Sequence, residues 1–286
     1  MIRSGIVVPA TAAHSLAAAR EREPHLRIVD VRAGERFAHG HLPDSGHMAL
    51  AELGPRRMEL PSRLDAVLLV HDEPELARVA AAQLTVRGYE RVQWLDRAIA
   101  HEPEGLASRE PAVRLWSPSA FLERVLPGAP RGAGRALDLA CGSGRAAVHL
   151  ARLGWRVEAW DLDSSALELA EAFAARNGVR IATRICELEG DPLPLPEPLF
   201  DAIVVIRYLH RPLFPWIERA LAPGGVLVYE TFRSGQDQFG HPRRARHLLE
   251  AGELLRAFPT LRVEHHEESP EHEPPVMARV LALKPS

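Results

Sequence analysis

The sequence predicts an α/β protein of two consecutive domains, the second built on an open, mostly parallel sheet. Three observations lead there. Residues 135–161 read as strand, glycine turn, helix, turn, strand, with an acid in the first strand and another at the end of the second. Short apolar runs alternate with helix-period segments in both halves of the chain, the pattern of strands joined by crossover helices. Between the halves Pro103, Gly105 and Pro111 interrupt regular structure. This sets domains at residues 1–102 and 117–286, with a linker at 103–116.

In the first domain, residues 26–31 form an apolar strand running into Asp30-Val31-Arg32, residues 35–38 a helical turn, and Gly40 to Pro43 a turn. A buried strand follows at 66–70, a helix at 74–87 stopped by Gly88, and a strand at 91–95. Ser117 as cap and Pro118 at the first helical position start the next helix, which carries Phe121, Leu122, Val125 and Leu126 as an apolar stripe. The second domain continues with a strand at 136–140, a turn at 141–144, a helix at 146–153 ending at Gly154, and a strand at 157–160 closed by Asp161. Further strands fall at 180–186, 202–206, 226–229 (after the turn Pro223-Gly224-Gly225) and 276–283. Residues 231–246, with Gly235, Gly240 and Pro242, are too polar and punctuated for core, and read as a loop over the substrate side of the sheet.

The chemistry concentrates in the first strand-turn-helix. Gly142 and Gly144 let backbone approach a ligand because no Cβ intervenes. Asp161 stands nineteen residues after Gly142 at a strand's carboxyl end, where open parallel sheets bind ligands, and can accept hydrogen bonds from two ribose hydroxyls. Helix capping is its alternative use. The spacing Gly142-x-Gly144-x-x-Ala147 also fits a dinucleotide fingerprint, so by itself it does not exclude NAD. Asp138, inside the strand among Leu137, Leu139 and Ala140, needs a partner. A cationic amino group suits it, which S-adenosylmethionine has in that region and NAD lacks. Arg145 is placed to help hold a carboxylate.

The run DLACGSG, then AWDLD, FDAIVV and the PGG turn resemble the motifs of S-adenosylmethionine-dependent methyltransferases of the Rossmann-like class over residues 116–285. Within it, ACGSGR, AWDLD, RYLHR and the closing ELL helix look most like the tellurite-resistance (TehB-like) small-molecule enzymes. The resemblance implies a mostly parallel seven-stranded sheet, with cofactor residues at Asp138, Ala140, Gly142, Gly144, Arg145, Asp161, Leu162, Glu187, Leu188 and Ile206. Leu162 would lie on the adenine, and Glu187 stands where the family often has Asp meeting the adenine amino group. Ala140 departs mildly from a common glycine. The helix after Ser117 would be either part of a lid or simply the first core helix.

The series DVR, ERFAHGHLP, LLVHDEPELA and RGYERVQWLD resembles a rhodanese-like domain over about residues 6–100. That family transfers sulfane sulfur through a cysteine at the start of a loop of backbone N–H groups. Here His71 stands at that position, and Asp72, Glu73 and Glu75 would repel an anionic donor. The domain is expected to be catalytically silent and to serve packing, dimerisation or partner docking. His39, His41 and His47 fit a polar turn better than a zinc site, and no metal is expected.

Composition narrows the rest. A formal net charge of −3 over 286 residues provides no basic field for wrapping nucleic acid. Two cysteines, Cys141 and Cys186, build no disulfide framework, and no apolar run approaches a membrane span. Ile6 to Val8 and Ala17 to Ala19 resemble a signal peptide only faintly, broken by Pro9, His14 and Arg20, so a cytoplasmic protein is expected.

For the acceptor, the segment Arg207-Tyr208-Leu209-His210-Arg211 replaces the Asn/Asp-Pro-Pro-aromatic motif used on amino groups. A small-molecule thiol, selenol, oxyanion or hydroxyl is expected. Arg207, Arg211 and Arg233 are candidates to steer it, and Tyr208, His210, Glu230 and His241 candidates to move a proton. The competing readings are an NAD-dependent oxidoreductase and a non-catalytic cofactor sensor or scaffold.

Overall fold

A computed structural model describes residues 9–102, 106, 111–126, 134–190, 193–197 and 199–286. Ile6 to Val8, Pro103 and Gly105, invoked above, lie outside them. The chain divides into two units, Met1–Ser117 and Pro118–Ser286.

The first unit contains β1 (Thr11–Ala13), α1 (Leu16–Arg22), β2 (Arg27–Asp30), α2 (Gly34–His39), β3 (Ser45–His47), β4 (Val67–Val70), α3 (Pro74–Val86) and β5 (Val92–Leu95). Its sheet is parallel throughout, in the order β1-β5-β4-β2-β3. β4 is buried at all four residues, as a central parallel strand covered on both faces must be. Pro74 opens α3 at the position where a missing N–H costs nothing. β1, α1 and β3 escaped the sequence reading. The two strands are three residues long and α1 is a two-turn helix, so none carries enough periodicity to register.

The segment read as linker needs correcting at its end. The Val113 N–H donates to the Ser45 carbonyl on edge strand β3, and Leu115 is buried in the core with Val29, Leu69 and Tyr89. Gly46 makes room: a Cβ there would stand 2.4 Å from Leu115. Residues 113–116 therefore complete the first unit.

The second unit contains α4 (Ala120–Val125), β6 (Arg135–Leu139), α5 (Arg145–Arg152), β7 (Arg156–Asp161), α6 (Ser164–Arg176), β8 (Ala182–Ile185), β9 (Phe200–Ile206), α7 (Phe214–Ala220), β10 (Leu221–Phe232), α8 (Glu253–Arg256), β11 (Arg262–Glu268) and β12 (Met277–Leu283). The sheet order is β11-β12-β10-β9-β6-β7-β8, with only the β12 pairings antiparallel. Chain direction across the sheet reverses between β6 and β9, and this switch point opens the crevice in which such folds bind ligands. Strand alternation divides two cores: Leu137, Leu139, Ile203 and Val205 face α7 and α8, while Ala136, Ala202 and Val204 face α4 and α5. Asp138 shares the α5 side.

Two local expectations change. The α4 cap is Ser119, whose Oγ accepts from the Leu122 N–H, not Ser117, because Pro118 precedes the helix instead of opening it. The PGG turn lies inside β10 as a register shift between Leu221 and Val226. β11 was not anticipated: its His and Glu residues are half-exposed on an edge and lack the apolar run of a buried strand.

Candidate functional site at the carboxyl ends of the second sheet

The carboxyl ends of β6 and β7 meet at a bend from residue 140 to 144. Ala140, Gly142 and Gly144 all have positive φ, at 58°, 50° and 79°. A Cβ on Gly144 would stand 2.7 Å from the Ala170 Cβ, so this glycine lets α5 and α6 close on each other. A Cβ on Gly142 would meet nothing within 4 Å: open space lies over the bend. Ala140 departs from glycine in backbone conformation more than in size, since a left-handed alanine is strained where glycine is not.

Two carboxylates bracket this bend. Asp161, half-exposed at the end of β7, accepts from the Gly142 N–H at 2.7 Å and the Asp163 N–H at 3.0 Å. Capping of α6 falls instead to Asp163, which accepts from the Ser165 N–H. Asp138 is 2% exposed and accepts from the Ala147 N–H, one turn into α5, at 2.8 Å. Burial, opposed by that hydrogen bond and assisted by the charge of Asp161, pushes its carboxyl up to about 7. Cys141, in the bend, is a poor nucleophile: burial and both aspartates push its thiol up.

Leu162 is 58% exposed, and Ile185, the register partner of Asp161 on β8, is 62% exposed. These two apolar side chains flank the half-exposed carboxylate. Ile185 was not singled out from the sequence, where it reads as an ordinary edge residue; only strand register brings it beside Asp161. Glu187 is exposed, and its carboxylate accepts from the Glu189 N–H. Leu188 is a core residue, 7% exposed and packed with Leu139 and Trp160. Ile206 ends β9 half-buried, Ala140 and Arg145 are half-buried at the bend, and Arg207 follows with φ 59° and its N–H on the Glu230 carbonyl.

The acceptor-side candidates separate. Tyr208 reaches Glu189 through its hydroxyl at 3.5 Å, and burial together with Glu189, Glu187 and Asp161 pushes the phenol up, so it stays a neutral donor and not a base. Arg211 is bound to Glu253 and the Leu248 carbonyl, each at 2.8 Å. Arg233 is buried against Glu271 and the Ser269 carbonyl. Glu230 accepts from Ser119 Oγ and Arg279 Nε, both at 2.9 Å, tying the start of α4 to the sheet. These three charges are held by partners that lie far away in sequence, which gives each a structural role. His241 is exposed on its loop. Arg207 and His210 are left at the strand ends. The loop 231–246 is also less free than expected: Thr231, Arg233 and Gln236 are buried, and Gln236 Oε1 accepts from the Val276 N–H.

In the first unit, only His71, Asp72 and Glu73 separate β4 from α3. Asp72 is held by Arg36 at 2.7 Å and Arg32 at 3.3 Å, which outweigh burial and keep its carboxyl below the usual range. His71 Nδ1 accepts from the Glu73 N–H. His41 stacks on Phe37 at 4.1 Å and His47 tilts against the same ring, so this histidine cluster is a packed turn.

A mostly parallel sheet with a topological switch, a left-handed bend and carboxylates on either side defines the second unit as a doubly wound α/β domain. Comparison with known proteins specifies both units. Residues 136–225 match the family model described as a methyltransferase domain, and residues 12–100 the one described as a rhodanese-like domain. The chain thus carries a rhodanese-like domain followed by a methyltransferase domain. It is similar to the ribosomal protein L11 methyltransferase of Thermus thermophilus, 41% identical over 93 residues covering 32% of this chain and 35% of that one. It is also similar to the ubiquinone biosynthesis O-methyltransferase of Xanthomonas axonopodis pv. citri, 36% identical over 124 residues covering 42% and 48%. The chain spans about a third to a half of the length of these relatives. Among solved structures, TehB from Haemophilus influenzae aligns over 54% of this chain and 58% of its own, with 19% identity and a TM-score of 0.46. Among the described residues no helix is long and apolar enough to cross a membrane.

Proposed function

We propose that this protein transfers a methyl group from S-adenosylmethionine to a small-molecule acceptor. The observation that carries the reading is the pair Asp138 and Asp161 on either side of a bend with open space above Gly142. The residues fit the cofactor. A buried carboxylate with its charge opposed by burial gains from a cationic amino group. Asp161 suits ribose hydroxyls, and Leu162 and Ile185 offer apolar ground for the adenine, with Glu187 for its amino group. Arg145, first in α5, suits the carboxylate. When bound, the cofactor supplies an electrophilic methyl on a sulfonium that departs as a neutral thioether.

The protein's own part is to hold and align. The carboxylates of Asp161, Glu187 and Glu189, all acting on the Tyr208 hydroxyl, make a negative field that favours a sulfonium. Displacement needs the acceptor in line and water excluded. A small acceptor is supported by a cavity of about 200 Å³ beside Glu189, below the ~300–1,000 Å³ of pockets for drug-sized ligands. The rhodanese-like domain is a silent module: His71 directly follows β4, where the family's sulfur chemistry needs a cysteine thiolate. Calorimetry with S-adenosylhomocysteine and with NADH tests the assignment. Binding of the first alone is expected; binding of NADH alone refutes it.

A further inference from the structure

The cavity beside Glu189 contains a histidine that the arrangement above does not use. Its charged and titratable lining comes from three segments: Glu189 after β8, His210 and Arg211 after β9, and Arg246 and His247 at the end of the long loop. Leu209 and Pro212 supply apolar wall. Most of the polar groups are engaged with each other. Arg211 is bound to Glu253, Glu189 receives the Tyr208 hydroxyl, and Arg246 donates to Nε2 of His247. His210 is half-buried; its carbonyl accepts from the Leu213 N–H, and its ring makes no hydrogen bond among the described residues. The cavity adjoins the cofactor side, because Glu189 lines it and also meets Tyr208, whose hydroxyl feels the charge of Asp161.

We propose that this cavity is the acceptor subsite, that His210 is its general base, and that the acceptor is a single-ring phenolic or enolic hydroxyl; this rests on the methyltransferase reading above. An unengaged imidazole at the wall of a small, partly apolar cavity serves an acceptor that arrives protonated, whereas a thiolate or an oxyanion needs no base. In the step, the hydroxyl proton passes to the free ring nitrogen of His210 and an oxygen lone pair forms the bond to the methyl carbon. The carbon–sulfur bond breaks with its electron pair staying on sulfur. The imidazolium then releases the proton to water.

The test uses the full chain, with S-adenosylhomocysteine release as readout and two acceptors: catechol, protonated at neutral pH, and 4-nitrothiophenol, largely ionised there. His210→Gln is expected to lower kcat/KM for catechol by about 10²–10⁴-fold and to abolish the low-pH limb of its profile. Turnover of the thiol should fall far less than that of catechol, and unchanged S-adenosylhomocysteine affinity shows that the variant folds. Independently of turnover, catechol added with S-adenosylhomocysteine should shift the His210 ring resonance in NMR. Equal losses for both acceptors, an unmoved resonance, or an unchanged catechol profile overturn the proposal. Wild-type methylation of the thiol but never of catechol also overturns it, leaving the methyltransferase reading intact. Failure to bind S-adenosylhomocysteine at all removes that reading itself.

Discussion

Gly142 and Asp161, nineteen residues apart, are joined by a 2.7 Å hydrogen bond from the glycine N–H to the carboxylate. The bond fixes the bend after β6 to the end of β7, so one side chain both shapes the bend and offers an acceptor to the proposed cofactor. Asp161→Ala is therefore expected to do two things. Loss of a hydrogen bond to a charged group, about 1.5–3 kcal/mol, should lower stability in the absence of ligand. S-adenosylhomocysteine binding should weaken by about one to two decades. Calorimetry alongside urea unfolding separates these effects, and unchanged affinity would remove Asp161 from the site.

Asp138 links stability to pH. Its folded carboxyl, at about 7, lies above its ordinary value of 3.8, so the native state binds the proton more tightly than the unfolded chain. Its contribution to stability is fully present below about pH 4, falls as pH rises towards 7, and is level above. Asp138→Asn, which keeps an acceptor for the Ala147 N–H, should lose this dependence and gain relative to wild type between pH 5 and 8. It should bind cofactor poorly. Wild-type binding should release protons near pH 6–7, seen as a buffer-dependent enthalpy in calorimetry; a buffer-independent enthalpy contradicts the assignment.

Ala140 occupies a left-handed backbone conformation that costs a non-glycine residue about 1–2 kcal/mol. Ala140→Gly should relieve most of that strain, partly offset by the greater freedom of glycine in the unfolded chain, for a net gain of up to about 1 kcal/mol in urea unfolding. A loss of stability would show that the methyl group packs usefully in the bend.

Glu230 anchors α4 through Ser119 and Arg279. Glu230→Ala removes one carboxylate from the half-buried Arg279, which keeps Glu267 at 3.4 Å, and a cost of about 1–3 kcal/mol is expected. Glu230→Gln should lose less, because its amide oxygen still accepts from Ser119. Equal effects of the two variants on thermal unfolding would rule out the Ser119 hydrogen bond as part of the anchor, and a harmless Glu230→Gln would rule out the ion pair.

The exposed stretch from Asp237 to Arg244 is the part of the long loop left free to cover acceptor, since Gln236 is laced to Val276. Replacing it with a glycine-serine segment of equal length should abolish turnover while S-adenosylhomocysteine affinity stays within about threefold, roughly 0.7 kcal/mol. Unchanged turnover would discard its role as a cover.

The sequence alone determined the α/β class, the two-domain order and the glycine bend with its two acids. Those signals are local: apolar runs of strand length, helix stops at Gly88 and Gly154, and an acid at a fixed distance from a turn. The tertiary structure decided what depends on register and long-range pairing. It placed Ile185 beside Asp161, held Arg211, Arg233 and Glu230 with distant partners, extended the first unit to Leu115, and set His210 in the wall of an open pocket. A side chain's charge can be read from sequence. Whether that charge faces a ligand depends on which groups the folded chain brings within hydrogen-bonding distance of it.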